Sequence, residues 1–475
     1  MTQTNTTHKG FLRAAVLVAS VLACVTFSAV APSLGQVQAG EFMYKCDGIA
    51  EKSLYSAFNV KIYQGENGWF FRQGDLESFF EFPDDTMEML QHINGALTYQ
   101  GMHLIILPML PRGIAEGSYV PNGGILTDRF YDAGFAEDQF NELIEMMRLK
   151  GLDVINVADV LKKDPSFDPG TFYFKRDIHW TPEGAGLIAQ ATASHIRGMQ
   201  GNVEHEVEFE TRPGTDTQLH KATFNTILNE LCQSKIPPEE VNVYDTKQKV
   251  DSLNDLLDED NVNDSEPVHV IGSSYTDDVT VYNFDGFLRQ YLKQNVGGFS
   301  ISGGGVDQSI YAWAQNPNGL GKRPKFIVWE FADFVDLRKL TRQMETSIVP
   351  AIIGDCSDDL KLAEKTFDET DTVDLDLPAL VGKASDHYLA YTFTNKALTG
   401  FQSSYSYANG PAKKVSFENP SRVSGLAKLY QALPGGTRNA PVHVRLEIEG
   451  AAKSAGSVKL CRYPERIFQN AATSN

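Results

Sequence analysis

Up to about Leu340 the chain alternates short apolar runs with stretches of helical period, and few folds accommodate that alternation. Met102 to Leu107, Leu152 to Val157, Val268 to Ile271 and Phe326 to Trp329 read as strands. Phe140 to Leu149, Ala185 to Ile196 and the pattern Phe284, Phe287, Leu288, Tyr291, Leu292 read as helices, with a loop over Lys163 to Gly170. Such alternation predicts an α/β unit: an open, largely parallel sheet with helices on both faces and its sites at the carboxyl ends of strands. From about Pro350 the pattern changes to short alternating runs at Leu389 to Phe393, Lys414 to Phe417, Val442 to Ile448 and Val458 to Leu460. Asn409-Gly410-Pro411 and Pro434-Gly435-Gly436 separate them, which predicts a small β-sandwich. The expected organisation is a leader over 1–39, an α/β domain over 40–347 and a β-sandwich module over 348–475.

The leader predicts export. Lys9 and Arg13 form a basic region, Ala14 to Ala31 is apolar apart from Ser and Thr, and Val37-Gln38-Ala39 offers a small-residue cleavage site. An uncleaved anchor is the alternative; the Pro32 to Gln38 spacer favours cleavage before Gly40. Of five cysteines, Cys24 falls in the leader, leaving Cys46, Cys232, Cys356 and Cys461. An even number in an exported chain implies disulfides, with three connectivities open. Pairing within each domain would give Cys46–Cys232 and Cys356–Cys461. The chain lacks a Cys-x-x-Cys pair, so neither a zinc site nor thioredoxin-type chemistry is expected. Asp251 to Glu266 holds seven acidic residues and no basic one, and reads as a solvated loop without the ligand spacing of a calcium site.

Two short stretches carry the chemistry. In Arg176-Asp177-Ile178-His179-Trp180-Thr181-Pro182, the two-residue spacing lets Asp177 and His179 point the same way, so the carboxylate can hold one imidazole nitrogen. The other nitrogen is then free to take a proton from a serine. Thr181 and Pro182 suit the cap and first residue of a helix, which puts the pair in the loop before it. In Val270-Ile271-Gly272-Ser273-Ser274-Tyr275, an apolar strand runs through glycine into serine and an acidic first helical turn. A serine there lies where free backbone N–H groups can stabilise an oxyanion. Ser274 is the expected nucleophile and Ser273 the competing choice, equally able to act as an N-cap. The Gly303-Gly304-Gly305 turn is a candidate second oxyanion contributor.

Asp-x-His-Trp-Thr-Pro followed far downstream by Gly-x-Ser-Tyr resembles the SGNH-hydrolase-like polysaccharide O-acetyltransferases of the AlgX/AlgJ family. Gly68-Trp69-Phe70-Phe71 resembles that family's entry strand. Ordinary SGNH hydrolases carry the Ser block first and the Asp/His block last; the order here is reversed, as in this family. Ser273 stands where the family usually has Thr or Asp. The resemblance covers nearly the whole chain. It implies an SGNH-hydrolase-like domain with a C-terminal carbohydrate-binding module, and the same within-domain cysteine pairing. It further implies acetyl transfer onto mannuronate hydroxyls of alginate in the periplasm, with Ser274 as nucleophile, His179 as base and Asp177 orienting the imidazole. The acetyl donor would be a membrane acyltransferase system rather than a soluble cofactor, and other periplasmic and outer-membrane alginate secretion proteins would be partners. A carbohydrate acetylesterase, which differs only in using water as acceptor, and a non-catalytic polysaccharide-binding scaffold remain open.

Charge divides the chain. The whole carries −19, and loss of the leader makes it −21, yet residues 377–475 hold twelve Lys/Arg and five Asp/Glu, a balance of +7. A basic module on an acidic domain suits capture of a polyanion. Nucleic acid is not expected as the partner, because the chain is exported and has no basic interleaved motif. Phe401-Gln-Ser-Ser-Tyr405-Ser-Tyr407, leading through Asn-Gly to Lys413-Lys414, makes Tyr407, Lys413 and Lys414 candidate sugar-binding residues. Rings stack on sugar faces while lysines meet uronate carboxylates.

Overall fold

The computed structural model describes residues 46–467 apart from 56–58, 165–167, 201–205, 221–222, 233–234, 250–265, 278–279, 316–322, 333–345, 419–424, 436–439 and 450–452. The expected leader, and the acidic run from Asp251 up to residue 265, lie outside the described residues. The Gly-Trp-Phe-Phe segment enters on a hairpin of β1 (Ile62–Gln64) and β2 (Phe70–Arg72). Trp69, Phe70 and Phe71 are fully buried. Arg112 lies over the Trp69 ring at 5.3 Å and donates to the carbonyls of Phe70 and Phe174. One buried cation thus ties the entry hairpin to the loop that begins at Phe174.

A parallel sheet follows. β3 (His103–Pro108) pairs with β4 (Asp153–Val154) at one edge. The chain then leaves the sheet for a long antiparallel hairpin of β5 (Phe209–His220) and β6 (Glu239–Gln248). It returns with β7 (Val268–Gly272), β8 (Val296–Ser300) and β9 (Phe326–Phe331). The five strands lie in the order β4-β3-β9-β7-β8, all parallel. Every residue of β7 and β9 is buried, as interior strands covered by helices on both faces require. The Asp84–Tyr99 helix packs on β3, the Ala133–Leu149 helix on β4 and the Asp307–Gln315 helix on β7 and β8, while the Pro182–Gln200 and Phe284–Leu292 helices pack on each other. One expected strand is shorter than its apolar run. Asn156 accepts from the N–H groups of Ala158 and Asp159, so Val157 opens the Val157–Lys163 helix instead of closing a strand.

The C-terminal part comprises β10 (Lys361–Thr370), β11 (Thr372–Asp376), β12 (His387–Phe393), β13 (Gly400–Tyr407), β14 (Lys413–Glu418), β15 (Lys428–Ala432), β16 (Pro441–Ile448) and β17 (Ser454–Arg462). They form two four-stranded antiparallel sheets, β10-β17-β12-β15 and β11-β16-β13-β14. Aromatic rings join them: Phe401 lies 5.0 Å from Tyr391 and 6.3 Å from Phe393, both of the other sheet. Tyr405 donates to Gln431 Oε1 at 2.6 Å across the same gap, so the buried hydroxyl keeps a partner. Cys46 is bonded to Cys232 and Cys356 to Cys461. One continuous cluster of buried apolar residues spans the parallel sheet and the sandwich, with Tyr311 of the α/β part 5.8 Å from Phe417 of β14. Among the described residues no helix is long and apolar enough to cross a membrane.

Candidate active site

Local sequence shapes each half of the site. Tyr173 and Trp180 form an isolated antiparallel bridge, and Phe174 N–H donates to His179 O, closing a loop around Asp177 and His179. Thr181 Oγ1 accepts from Gly184 N–H at 3.1 Å, capping the helix that starts at Pro182. On the other side β7 ends at Gly272, and one helical turn, Ser274–Asp277, follows Ser273. A Cβ on Gly272 would lie 2.3 Å from Thr276 Oγ1 and 2.5 Å from Glu330 Oε2, so only glycine fits this corner.

The two halves meet in a continuous hydrogen-bond chain. Asp177 Oδ2 lies 2.8 Å from His179 Nδ1, and His179 Nε2 lies 2.7 Å from Ser274 Oγ. Asp177 is 3 % exposed, and its other oxygen accepts from Ile178 N–H at 2.8 Å. Burial alone would raise this carboxyl. Hydrogen bonds from His179 and from a second histidine, His220 (Nε2 to Oδ2, 2.6 Å), together with their charge interactions, outweigh it and hold the group well below the usual carboxylate range. An ionised Asp177 only accepts, so His179 carries a proton on Nδ1; in the neutral imidazole Nε2 is then the acceptor facing the Ser274 hydroxyl. That is the protonation state a general base requires.

Aromatic residues fix this register. Trp180 Nε1 donates to Tyr275 O at 2.9 Å, and the Tyr275 hydroxyl donates to Ile178 O. The His179 ring stacks on Tyr282 with centroids 5.1 Å apart. Ser273 has a different partner from its neighbour. Its N–H and Oγ–H both donate to the buried Glu330 at the end of β9 (2.6 and 2.9 Å), and its Oγ accepts from Tyr275 N–H at 3.3 Å. Of the two serines, Ser274 is therefore the one joined to the imidazole.

A profile of the family described as SGNH hydrolase-like domain, acetyltransferase AlgX, matches residues 62–333, which hold β1 through β9 and every group above. The chain belongs to the AlgX family. Alginate biosynthesis protein AlgX of Pseudomonas aeruginosa is 23% identical over 403 residues, 83% of this chain and 81% of that one. The probable alginate O-acetylase AlgJ of Azotobacter vinelandii is 25% identical over 297 residues, 59% of this chain and 71% of its own length. The solved structure of P. aeruginosa AlgX superposes with a TM-score of 0.74 at 20% identity, covering 88% of this chain and 100% of that one, a likeness of fold.

In this AlgX-family chain the candidate sugar-binding residues separate. Lys413 and Lys414 of edge strand β14 line a groove of about 930 Å³ together with Lys383, Asp386, Glu88 and His92. Tyr407 is half-buried at the bulged end of β13 and does not line that groove, while Phe401 and Tyr405 belong to the sandwich core. The charge division also changes shape. The sandwich begins at Lys361, and its first two strands and the residue between them carry six acids against two lysines. These strands occupy one edge of each sheet, with β15 and the lysine-bearing β14 at the opposite edges. Gly304 N–H donates to Ile301 O within its own turn, so this donor of the glycine run is already engaged. Among the described residues no group of three or more His, Cys, Asp or Glu is arranged to hold a metal.

Three groups at the site have no local motif: Glu330, His220 and Tyr282. Glu330 had a signal, since a lone acid in the run Phe-Ile-Val-Trp-Glu-Phe contradicts its wholly buried neighbours. His220 had none, lying at the end of a polar strand 43 residues from Asp177.

Proposed function

We propose that this protein is an O-acetyltransferase that moves acetyl groups onto mannuronate hydroxyls of alginate in the periplasm. The observation that carries the reading is the unbroken Asp177–His179–Ser274 hydrogen-bond chain in a member of an acetyltransferase family. Ser274 Oγ attacks the carbonyl carbon of the acetyl donor as its proton passes to His179 Nε2. The donor's leaving group takes that proton and departs, leaving an acetyl ester on Ser274. A sugar hydroxyl then gives its proton to the same nitrogen and attacks the ester carbonyl, and Ser274 Oγ leaves with the proton. Asp177 holds the imidazole and stabilises its charged form in both halves. Ser273 N–H is taken by the Glu330 carboxyl and Tyr275 N–H by Ser273 Oγ, so the Ser274 N–H is the backbone group we assign to the oxyanion.

The β14 lysines give the polymer a cationic edge, and the groove they line is where we place uronate carboxylates. Two disulfides suit an oxidising compartment, and the leader-like segment supports the periplasm. The donor is taken to be a membrane acyltransferase system, working beside other alginate secretion proteins. The test is acetyl transfer from a chromogenic acetyl ester to mannuronate oligomers, read by mass spectrometry. Wild type should acetylate the oligomers, and Ser274→Ala should do so at background. Release of acetate with no acetylated oligomer would reassign the protein as an esterase, and activity in Ser274→Ala would remove the mechanism.

A further inference from the structure

The β5–β6 hairpin reaches the site through its last register pair. His220 of β5 stands opposite Glu239 of β6, and both side chains end on the loop that carries Asp177 and His179. Glu239 Oε2 accepts from Lys175 N–H at 3.1 Å and its Oε1 from Arg176 N–H at 2.9 Å, so one carboxylate holds the two residues before Asp177. The Arg176 guanidinium, 3.6 Å from Glu239, balances its charge. His220 Nε2 lies 2.6 Å from Asp177 Oδ2, the same oxygen that His179 Nδ1 reaches at 2.8 Å. Phe174 stacks on the His220 ring with centroids 4.2 Å apart and planes 14° apart, which fixes its direction.

We propose that His220 is a positioning residue of the site, donating a second hydrogen bond to the carboxylate that orients His179 and so tempering that carboxylate's hold on the imidazole. This rests on the triad reading above. The carboxylate is ionised and can only accept, so His220 must carry its proton on Nε2. Two donors on one oxygen share its negative charge. Removing His220 leaves that charge to His179 alone, which strengthens the carboxylate's hold on the imidazolium. The bond also restricts rotation of the carboxyl, so without it Asp177 can turn away from His179. Besides His220 and Asp177, the titratable groups facing His179 are Tyr275 and Tyr282, from the Ser274 turn and the segment after it. The Arg176–Glu239 pair sits on the two residues that precede Asp177.

The experiment compares wild type, His220→Phe, His220→Gln and Ser274→Ala in the full-length protein, with a small chromogenic acetyl ester and pH profiles of kcat and kcat/KM. Phenylalanine keeps the stack on Phe174 and removes only the donor; glutamine restores an N–H. His220→Phe should lose about tenfold in kcat, 1.4 kcal/mol of barrier, with KM little changed. Its acid limb should move to higher pH than that of wild type. His220→Gln should recover most of both. A His220→Phe profile superimposable on wild type, or a His220→Gln variant as impaired as His220→Phe, overturns the proposal. Either result with an inactive Ser274→Ala leaves the triad reading standing, whereas an active Ser274→Ala removes the reading itself.

Discussion

Trp180 and Tyr275 each hold the other's loop. The indole N–H of Trp180 donates to the Tyr275 carbonyl, and the Tyr275 hydroxyl donates to Ile178 O, between Asp177 and His179. Ninety-five residues separate Trp180 from Tyr275 in sequence, so this exchange brings His179 and Ser274 to hydrogen-bond distance. Tyr275→Phe strips the partner from a carbonyl at the site while leaving the ring packed. About 1–3 kcal/mol of stability should be lost. Activity on a small acetyl ester should fall by about tenfold, because small misplacements are costly in positioned catalysis. Kinetics together with thermal unfolding check both; unchanged kinetics would mean that the packed ring alone sets the geometry.

Ser273→Ala separates the two serines. Ser273 spends its hydroxyl on Glu330, not on His179. The variant is expected to retain most of its acetyl-ester activity while losing about 1–3 kcal/mol of stability, since a buried carboxyl is left with one donor fewer. Activity lost as completely as in Ser274→Ala, with the fold intact, would refute this division.

Glu330 predicts a pH dependence of stability. Burial pushes it up to about 7, against the lowering effect of the bonds from Ser273. Between its ordinary value of 4.5 and about 7 the folded protein holds a proton that the unfolded chain has released. Stability from this group is therefore present at low pH and is lost as pH rises through that window. Glu330→Gln cannot ionise and should flatten the fall of Tm between about pH 5 and about pH 8. Parallel slopes for the two proteins would count against the assignment.

The Cys46–Cys232 bond closes 186 residues and anchors the segment between His220 and Glu239. By chain entropy it contributes roughly 4–5 kcal/mol, less where the native state is strained. The double Ser variant should unfold at lower denaturant and should lose activity before it loses global structure. Coincident loss of both would show that the hairpin is held by its other contacts.

Lys413→Ala with Lys414→Ala should weaken binding of long mannuronate oligomers and make the remainder less sensitive to salt, because exposed charge attraction is screened over about 8 Å at physiological ionic strength. Hydrolysis of a small acetyl ester should stay within about twofold of wild type, an expected barrier change below 0.5 kcal/mol. Calorimetry at two salt concentrations and an ester assay check this. Normal polymer binding would move the acceptor site away from the groove.

What the sequence displays of this molecule follows from which signals are local. The alternation of apolar runs with helical period marks β3, β7 and β9, because strands buried on both faces must be apolar throughout. Asp177, His179 and Ser274 are legible because each sits at a turn or cap whose residue types are demanding, and Thr181-Pro182 and Gly272 are examples. The β5–β6 hairpin leaves no such trace. Its residues are largely exposed, so neither alternation nor apolar density marks it, and His220 reaches Asp177 only through tertiary folding. An aromatic beside lysines reads alike whether it faces a sugar or flanks a core, and in the fold Tyr407 follows a bulge and packs partly against the core, apart from the groove that Lys413 and Lys414 line. The +7 count likewise misses the acidic first strands, since where the sandwich begins depends on pairing partners on β16 and β17.

The unbroken apolar interior has a consequence for inheritance as well as for folding. Tyr311 against Phe417, and Gln100 bonded to the carbonyls of Ile352 and Ile353 just before the first sandwich strand, couple the sandwich to the parallel sheet through one shared apolar cluster. The chain should therefore unfold in one transition, and a destabilising change anywhere in β10 to β17 would reduce the amount of folded triad in the cell. A genetic screen for lost acetylation would then recover substitutions across the sandwich that never touch polymer, and only the specific activity of the surviving folded fraction would tell them from true binding defects.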